Sequence, residues 1–126
     1  MDSSIVRVID ANLNRAKEGI RVCEDVCRFV LDEPALSKQC KDIRHKLNLV
    51  VEKLGPVVLV GGRDADKDVG KPSSKTEMVR TKIADIFYAN CQRVKESVRV
   101  LEEFFKLIDK KSAQELKNIR YQVDGF

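Results

Sequence analysis

Two segments of the chain carry asparagine, arginine and glutamate at every third position. The first series is Asn12, Arg15, Glu18, Arg21 and Glu24. Each member recurs 78 residues later, in the series Asn90, Arg93, Glu96, Arg99 and Glu102. The guanidinium group of arginine presents a planar fork of donors that fits phosphate oxygens in pairs. Because a repeated hydrophobic core does not require repeated polar residues, the pattern predicts a binding site for a small anionic ligand.

The apolar residues around both series return at steps of three and four, which is the spacing of one face of an α-helix. On a helical wheel, the Asn of each series lies inside the apolar stripe, and the first Arg lies on its edge. The first Glu lies farther round, and the second Arg points nearly opposite the stripe. The predicted site therefore draws on the first three members of each series: Asn12, Arg15, Glu18, Asn90, Arg93 and Glu96.

A purely structural interpretation competes with this one. The two asparagines could set the helix register, and the arginines and glutamates could form a surface ladder of ion pairs. Such pairs contribute only about 0.2–0.5 kcal/mol each, so replacing Arg by Lys or Glu by Asp would be nearly neutral. Both copies nevertheless keep the same residue types, which favours a shared binding site.

Capping and stop signals divide the chain into four predicted helices. The first, capped by Ser3 or Ser4, extends to about residue 31, and the second covers about residues 34–54. The third covers about residues 75–109, and the fourth begins at a capping box that starts with Ser112 and extends to about residue 123. The short connection before Pro34 makes the first two helices an antiparallel hairpin.

The repeat includes whole hairpins, because Arg44 and His45 of the second helix match Arg120 and Tyr121 of the fourth. Each hairpin alone leaves an apolar stripe uncovered, so the two are expected to pack together. The predicted fold is all-α, a pseudo-twofold bundle of two long helical hairpins with an irregular central loop. One domain covers residues 1–126, with repeat copies at about 4–54 and 75–123 and the loop at 55–74. Arg44, His45 and Arg120 become further candidates for substrate contact.

The central loop contains a short apolar run at residues 57–60, which we expect to be extended, followed by a segment rich in Gly and Asp. That segment is neither a Walker A loop nor an EF-hand, because required residues of both motifs are missing. Arg63, Asp64 and Asp68 lie close together in it. Asp64 and Asp68 are candidate Mg²⁺ ligands beside Arg63, and the alternative is a solvated surface loop.

Composition limits the classes of function. The chain of 126 residues has a net charge of +4 with 35% charged residues, and no block of Lys and Arg indicates nucleic-acid binding. No apolar run approaches the length of a membrane span, so we expect a soluble, cytoplasmic protein. Its four cysteines lack metal-binding spacing and are expected to be buried, reduced thiols.

Several of these segments together resemble one family. They are residues 8–22, residues 43–47, Arg63-Asp64 with Asp68-Val69-Gly70, and the later series that begins at Asn90. The chain is similar over essentially its whole length to the small monofunctional hydroxymethylpyrimidine-phosphate kinases of thiamine biosynthesis. That family is met standalone or fused to thiamine-phosphate synthase.

The resemblance implies transfer of a phosphoryl group from ATP to 4-amino-5-hydroxymethyl-2-methylpyrimidine phosphate, with ATP and Mg²⁺ as cofactors. Pattern and chemistry then assign the catalytic candidates, which are Arg15, Glu18, Arg63, Asp64, Arg93 and Glu96. The candidates for substrate binding are Asn12, Asn90, Arg44, His45 and Arg120. Asn12 is expected to read the aminopyrimidine ring, as Asn reads adenine.

Two other functions stay open on the sequence. One is a noncatalytic helical module that docks on thiamine-phosphate synthase or dimerises, and the other is a phosphate-ester hydrolase that uses the loop aspartates. The expected partners are the phosphorylated pyrimidine and thiamine-phosphate synthase, with no nucleic acid and no membrane. Self-association into a homo-oligomer is also left open.

Overall fold

A computed structural model describes residues 2–54 and 82–126. Within these ranges the chain forms four α-helices and no strand: α1 (Ser3–Asp25), α2 (Pro34–Glu52), α3 (Ile83–Phe105) and α4 (Lys110–Asp124). The predicted all-α bundle of two helical hairpins is confirmed. The predicted loop at 55–74, with Arg63, Asp64 and Asp68, and the predicted start of the third helix lie outside the described residues.

The beginning of α1 differs from the prediction, which placed Ser3 or Ser4 at the cap. The cap is Asp2, whose carboxylate accepts hydrogen bonds from the backbone N–H and the hydroxyl of Ser4, both at 2.8 Å. An aspartate in extended conformation just before a helix satisfies backbone donors that have no partner within the helix. The helix therefore starts at Ser3.

The beginning of α4 also lies earlier than predicted. Asp109 caps this helix by accepting from the backbone N–H of Lys111 at 3.3 Å and from the hydroxyl of Ser112 at 2.6 Å. These contacts hold the pKa of the Asp109 carboxyl below its usual range, with the Ser112 hydrogen bond as the main cause. Ser112 is therefore the residue that supports the cap, and the prediction that it begins the helix was wrong.

The connection between α1 and α2 contains a π-helical turn at Val26–Val30, which continues directly from α1. The chain then reverses at Asp32, whose φ of 52° lies in the left-handed region that Asp tolerates better than most residues. Pro34 occupies the first turn of α2, where its missing N–H costs no hydrogen bond. The predicted stop and restart at residues 32–34 is confirmed.

The two hairpins meet mainly through α1 and α3, which lie side by side and antiparallel. Glu18 of α1 pairs with Arg93 of α3, while Cys23, farther along α1, contacts Phe87 and Cys91, earlier on α3. On the opposite side of the bundle, α2 and α4 are joined by Lys53 and Glu115 at 3.2 Å. Each helix therefore has two neighbours around one core, as in an antiparallel four-helix bundle.

The core is formed by apolar side chains of all four helices. It includes fully buried residues on each of them: Ile9, Ile20, Ile43, Leu47, Val94, Val98, Leu101, Phe105 and Leu116. Burying each side chain of this size stabilises the folded protein by about 1.5–3 kcal/mol relative to leaving it exposed to water. The four cysteines are also buried and free, as predicted.

Candidate functional site

The polar repeat lies where α1 packs against α3, and we call this region the seam. It comprises Asn12, Arg15 and Glu18 of α1 with Asn90, Arg93 and Glu96 of α3. Both asparagines make the same contact: the Asn12 Nδ2 donates to the carbonyl of Val8 at 2.9 Å, and the Asn90 Nδ2 donates to that of Ile86 at 2.8 Å. The two copies of the repeat therefore share side-chain geometry as well as sequence.

One ion pair crosses the seam. The Arg93 Nη2 lies 3.1 Å from the Glu18 Oε2, although both side chains are largely exposed. An exposed pair of this kind contributes at most about 1 kcal/mol, because water screens it and two long side chains lose freedom. Its main consequence is positional, since it orients the guanidinium of Arg93 on the outer surface of the seam.

The pseudo-twofold counterpart of this pair would join Arg15 to Glu96, and it does not form. Glu96 instead accepts a hydrogen bond from the Nε2 of Gln92 at 3.0 Å. Gln92 corresponds to Asn14 in the first copy, whose side chain is one methylene shorter. Within the described residues, Arg15 has no carboxylate partner, and its Nη1 lies 3.4 Å from the Oδ1 of Asn12. The side chain of Arg15 is exposed.

The two asparagines differ in what they leave open. Asn12 is buried, with its amide nitrogen directed to its own helix and its oxygen directed to Arg15. Asn90 is half-buried, and its amide oxygen has no partner among the residues that the structure describes. The geometry makes Asn12 a residue that orients Arg15, whereas the described contacts of Asn90 involve only its amide nitrogen. Whether Asn12 reads a pyrimidine ring stays a prediction.

Arg44 and Arg120 are held inside the hairpins by glutamates of the repeat. Arg44 Nε lies 3.2 Å from Glu24, and Arg120 Nε lies 3.1 Å from Glu102. The pKa of Arg120 is raised, mainly by its hydrogen bond to Glu102, so the guanidinium stays protonated. Sequence reasoning saw the two glutamates recur but assigned them no role. Glu24 and Glu102 recur in the sequence together with Arg44 and Arg120. This joint recurrence could have predicted the two equivalent ion pairs between helices.

The two ring residues of the repeat are exposed. His45 lies on the surface of α2, and the ring of Tyr121 on α4 is approached by the guanidinium of Arg120 at 5.0 Å. The ammonium of Lys117 lies 5.7 Å from the same ring. The substrate contact of His45 therefore stays a prediction.

The ion pair between Glu102 and Arg120 leads to a prediction for stability. Glu102 is 3% exposed and accepts from both Arg99 and Arg120, so Glu102→Ala should leave the half-buried Arg120 without its counter-ion. We expect a loss of about 2 kcal/mol in the free energy of unfolding, measured by urea denaturation. Glu103→Ala is the control, because Glu103 is exposed and its removal should leave the free energy of unfolding nearly unchanged. Equal losses in the two variants would contradict a structural role for the ion pair.

A groove of about 490 Å³ lies between α3 and α4 and reaches the seam at Glu96. Its cations are already neutralised: Lys95 pairs with Asp124 at 3.1 Å, and Arg99 pairs with Glu102 and Glu103. Over the described residues, no group of three or more potential ligands could hold a metal ion. Among the described arginines of the seam, Arg93 is paired with Glu18, whereas Arg15 is exposed and has no carboxylate partner in residues 2–54 and 82–126.

The architecture and the seam define a class of protein: an all-α bundle of two helical hairpins whose first helices carry the same Asn, Arg and Glu pattern. The chain belongs to the ThiD2 family, whose family model matches residues 7–124. No solved structure gives a significant match to it. None of the helices in the described part of the chain is long and apolar enough to cross a membrane.

Curated relatives of the chain are thiamine-phosphate synthases. The protein of Synechocystis sp. is 39% identical over 122 residues, which cover 96% of this chain and 34% of the relative. The protein of Thermosynechococcus vestitus is 40% identical over 118 residues, and that of Rhodopirellula baltica is 34% identical over 120 residues. Each match covers 32% of the relative. The chain therefore spans about a third of the length of these proteins.

Proposed function

We propose that this protein phosphorylates 4-amino-5-hydroxymethyl-2-methylpyrimidine phosphate to the diphosphate in thiamine biosynthesis, with ATP as the phosphoryl donor. The observation that carries the proposal is the seam, where Arg15 is exposed and has no carboxylate partner among residues 2–54 and 82–126, on the same seam as the oriented Arg93. Membership of the ThiD2 family and the thiamine-phosphate synthase relatives support the pathway.

The seam suits this reaction because the acceptor is itself a phosphate monoester. Its second pKa is about 6, so it is mostly dianionic at neutral pH and needs little help from a general base. What the reaction needs is neutralisation of charge as two anions approach each other in line. Arg15 would bind the acceptor phosphate, with Asn12 orienting its guanidinium. Arg93 would contribute a second cation, held in place by Glu18.

The nucleotide and the metal need further residues. Mg²⁺ would supply charge neutralisation on the phosphates of ATP. The predicted ligands are Asp64 and Asp68 beside Arg63, where carboxylate oxygens suit a hard cation. These three residues lie outside the described part of the chain, so their roles stay predictions from the sequence.

A second candidate function is a noncatalytic helical module of thiamine-phosphate synthase. The observation that favours it is the length of the relatives, which are thiamine-phosphate synthases about three times as long as the matched region. In this alternative, the seam would be an interaction surface for the rest of such a protein.

The test is an incubation of the protein with ATP, Mg²⁺ and the pyrimidine monophosphate, followed by separation of the products. We expect the pyrimidine diphosphate and ADP in equal amounts. Release of inorganic phosphate from the monophosphate without ATP consumption would indicate a hydrolase. Unchanged substrates, with a folded protein by circular dichroism, would favour the noncatalytic module.

A further inference from the structure

Two thiols meet in the core between the hairpins, at the contact of α1 with α3. Cys23 of α1 and Cys91 of α3 are both buried, and their Sγ atoms lie 3.5 Å apart. The equivalent positions in the other copy of the repeat are Leu101 and Leu13, which are also buried. Leucine thus fills these positions in one half of the bundle, so packing alone does not require a pair of cysteines in the other half.

The backbones of α1 and α3 approach each other closely near this pair. A Cβ atom built on Gly19, one helical turn before Cys23, would lie 2.9 Å from the Val94 Cγ2 and 3.1 Å from the carbonyl oxygen of Asn90. A disulfide needs such proximity, with sulfur atoms about 2.05 Å apart.

The two thiols differ in the direction of their pKa shifts. The contact with the Cys23 sulfur lowers the pKa of Cys91, and the charge of Lys95 acts in the same direction. The same contact, together with burial, raises the pKa of Cys23. Because the thiolate is the reactive form of cysteine, the direction of these shifts favours Cys91 for the first attack and Cys23 for the resolving step.

We propose that Cys23 and Cys91 form an oxidative modification site at which hydrogen peroxide closes a disulfide between the two hairpins. The Cys91 thiolate attacks one oxygen of the peroxide, the O–O bond breaks, and hydroxide leaves, so Cys91 becomes a sulfenic acid. The sulfur of Cys23 then attacks the sulfur of Cys91, and the hydroxyl group leaves as water with the thiol proton. The peroxide is reduced to two waters, and the two thiols are oxidised to one disulfide.

The disulfide would join α1 to α3 and thereby restrict the movement of the two halves of the seam relative to each other. It closes a long loop of chain, which restricts the unfolded state and should raise the melting temperature. The other two cysteines provide an internal comparison. Burial raises the pKa of Cys40 to about 12, and it is the main cause that raises the pKa of Cys27. Neither residue is expected to react first.

The experiment treats the native protein with hydrogen peroxide, alkylates the remaining thiols after unfolding, and maps the peptides by mass spectrometry. We expect one linked pair of peptides that contains Cys23 and Cys91, lighter than the two reduced peptides by two hydrogens. Cys27 and Cys40 should be alkylated. The melting temperature should rise and return to the original value with dithiothreitol.

Two variants complete the test. Cys27→Ala/Cys40→Ala should still form the linked peptides, while Cys91→Ala should leave Cys23 as a free thiol. If the variants fold poorly, the peptide map of the unaltered protein decides alone. Oxidation of Cys91 to sulfinic acid with Cys23 still free, a link between Cys27 and Cys40, or no reaction before unfolding would each overturn the proposal.

Discussion

Replacing Arg15 with Ala is expected to lower kcat/KM for the pyrimidine monophosphate by roughly 100-fold, with little change in melting temperature. Removal of one well-placed charged donor from a phosphoryl-transfer site typically has an effect of this size. Arg15→Lys should recover only part of the activity, because the ammonium keeps the charge but loses the paired donors of the guanidinium. Steady-state kinetics at saturating ATP would measure both variants.

Arg21 offers a matched control for this prediction. It belongs to the same polar series and is exposed on the same helix, but the repeat pattern places it nearly opposite the apolar stripe. Arg21→Ala should therefore retain near-normal kcat/KM. If Arg15→Ala instead lowers the melting temperature and keeps normal kinetics while folded, the register interpretation of the repeat is correct and the phosphate role is wrong.

The second large effect concerns the contact between the hairpins. Gly19→Ala should lower the free energy of unfolding by about 1–2 kcal/mol, although alanine favours helices by about 0.5–1 kcal/mol over glycine. The added methyl group would lie 2.9 Å from the Val94 Cγ2 and 3.1 Å from a backbone oxygen of α3. The Val94 side chain has little freedom to rotate because Val is β-branched and stiff in a helix, and the backbone oxygen can move only with its helix. Urea denaturation monitored by circular dichroism measures the change.

Gly125→Ala is the control for this effect, because a Cβ there would make only ordinary contact, 3.4 Å from the Gln122 carbonyl. We expect a change within about 0.5 kcal/mol. A double variant that adds Val94→Ala to Gly19→Ala should lose less stability than the sum of the two single changes, because the smaller side chain makes room. Strict additivity would show that α1 and α3 do not pack at this point as described.

Local pattern was sufficient to predict the elements of this fold. Apolar steps of three and four predicted the helices, and the residues around Pro34 predicted the first hairpin. The repeated Asn, Arg and Glu positions predicted that both hairpins contribute to one seam. These features depend on periodicity and on backbone geometry within a few residues, so a single sequence contains them.

Helix starts were less accurate, and the reason is local competition between capping residues. Ser3, Ser4 and Ser112 are all good capping residues by type, but Asp2 and Asp109 precede them and accept the same backbone donors. A carboxylate with two acceptor oxygens can satisfy both a backbone N–H and a serine hydroxyl. Propensity identifies the neighbourhood of a cap and does not choose between adjacent candidates.

The pairing of charged side chains was decided by tertiary structure. Sequence alone made Arg15, Arg44 and Arg120 all candidates for contact with the substrate. Packing directs Arg44 and Arg120 to glutamates of their own hairpins and leaves Arg15 exposed on the seam. The contact between Cys23 and Cys91 likewise joins residues far apart in the chain. Long side chains reach partners across helices, so their partners depend on helix positions that short-range periodicity does not contain.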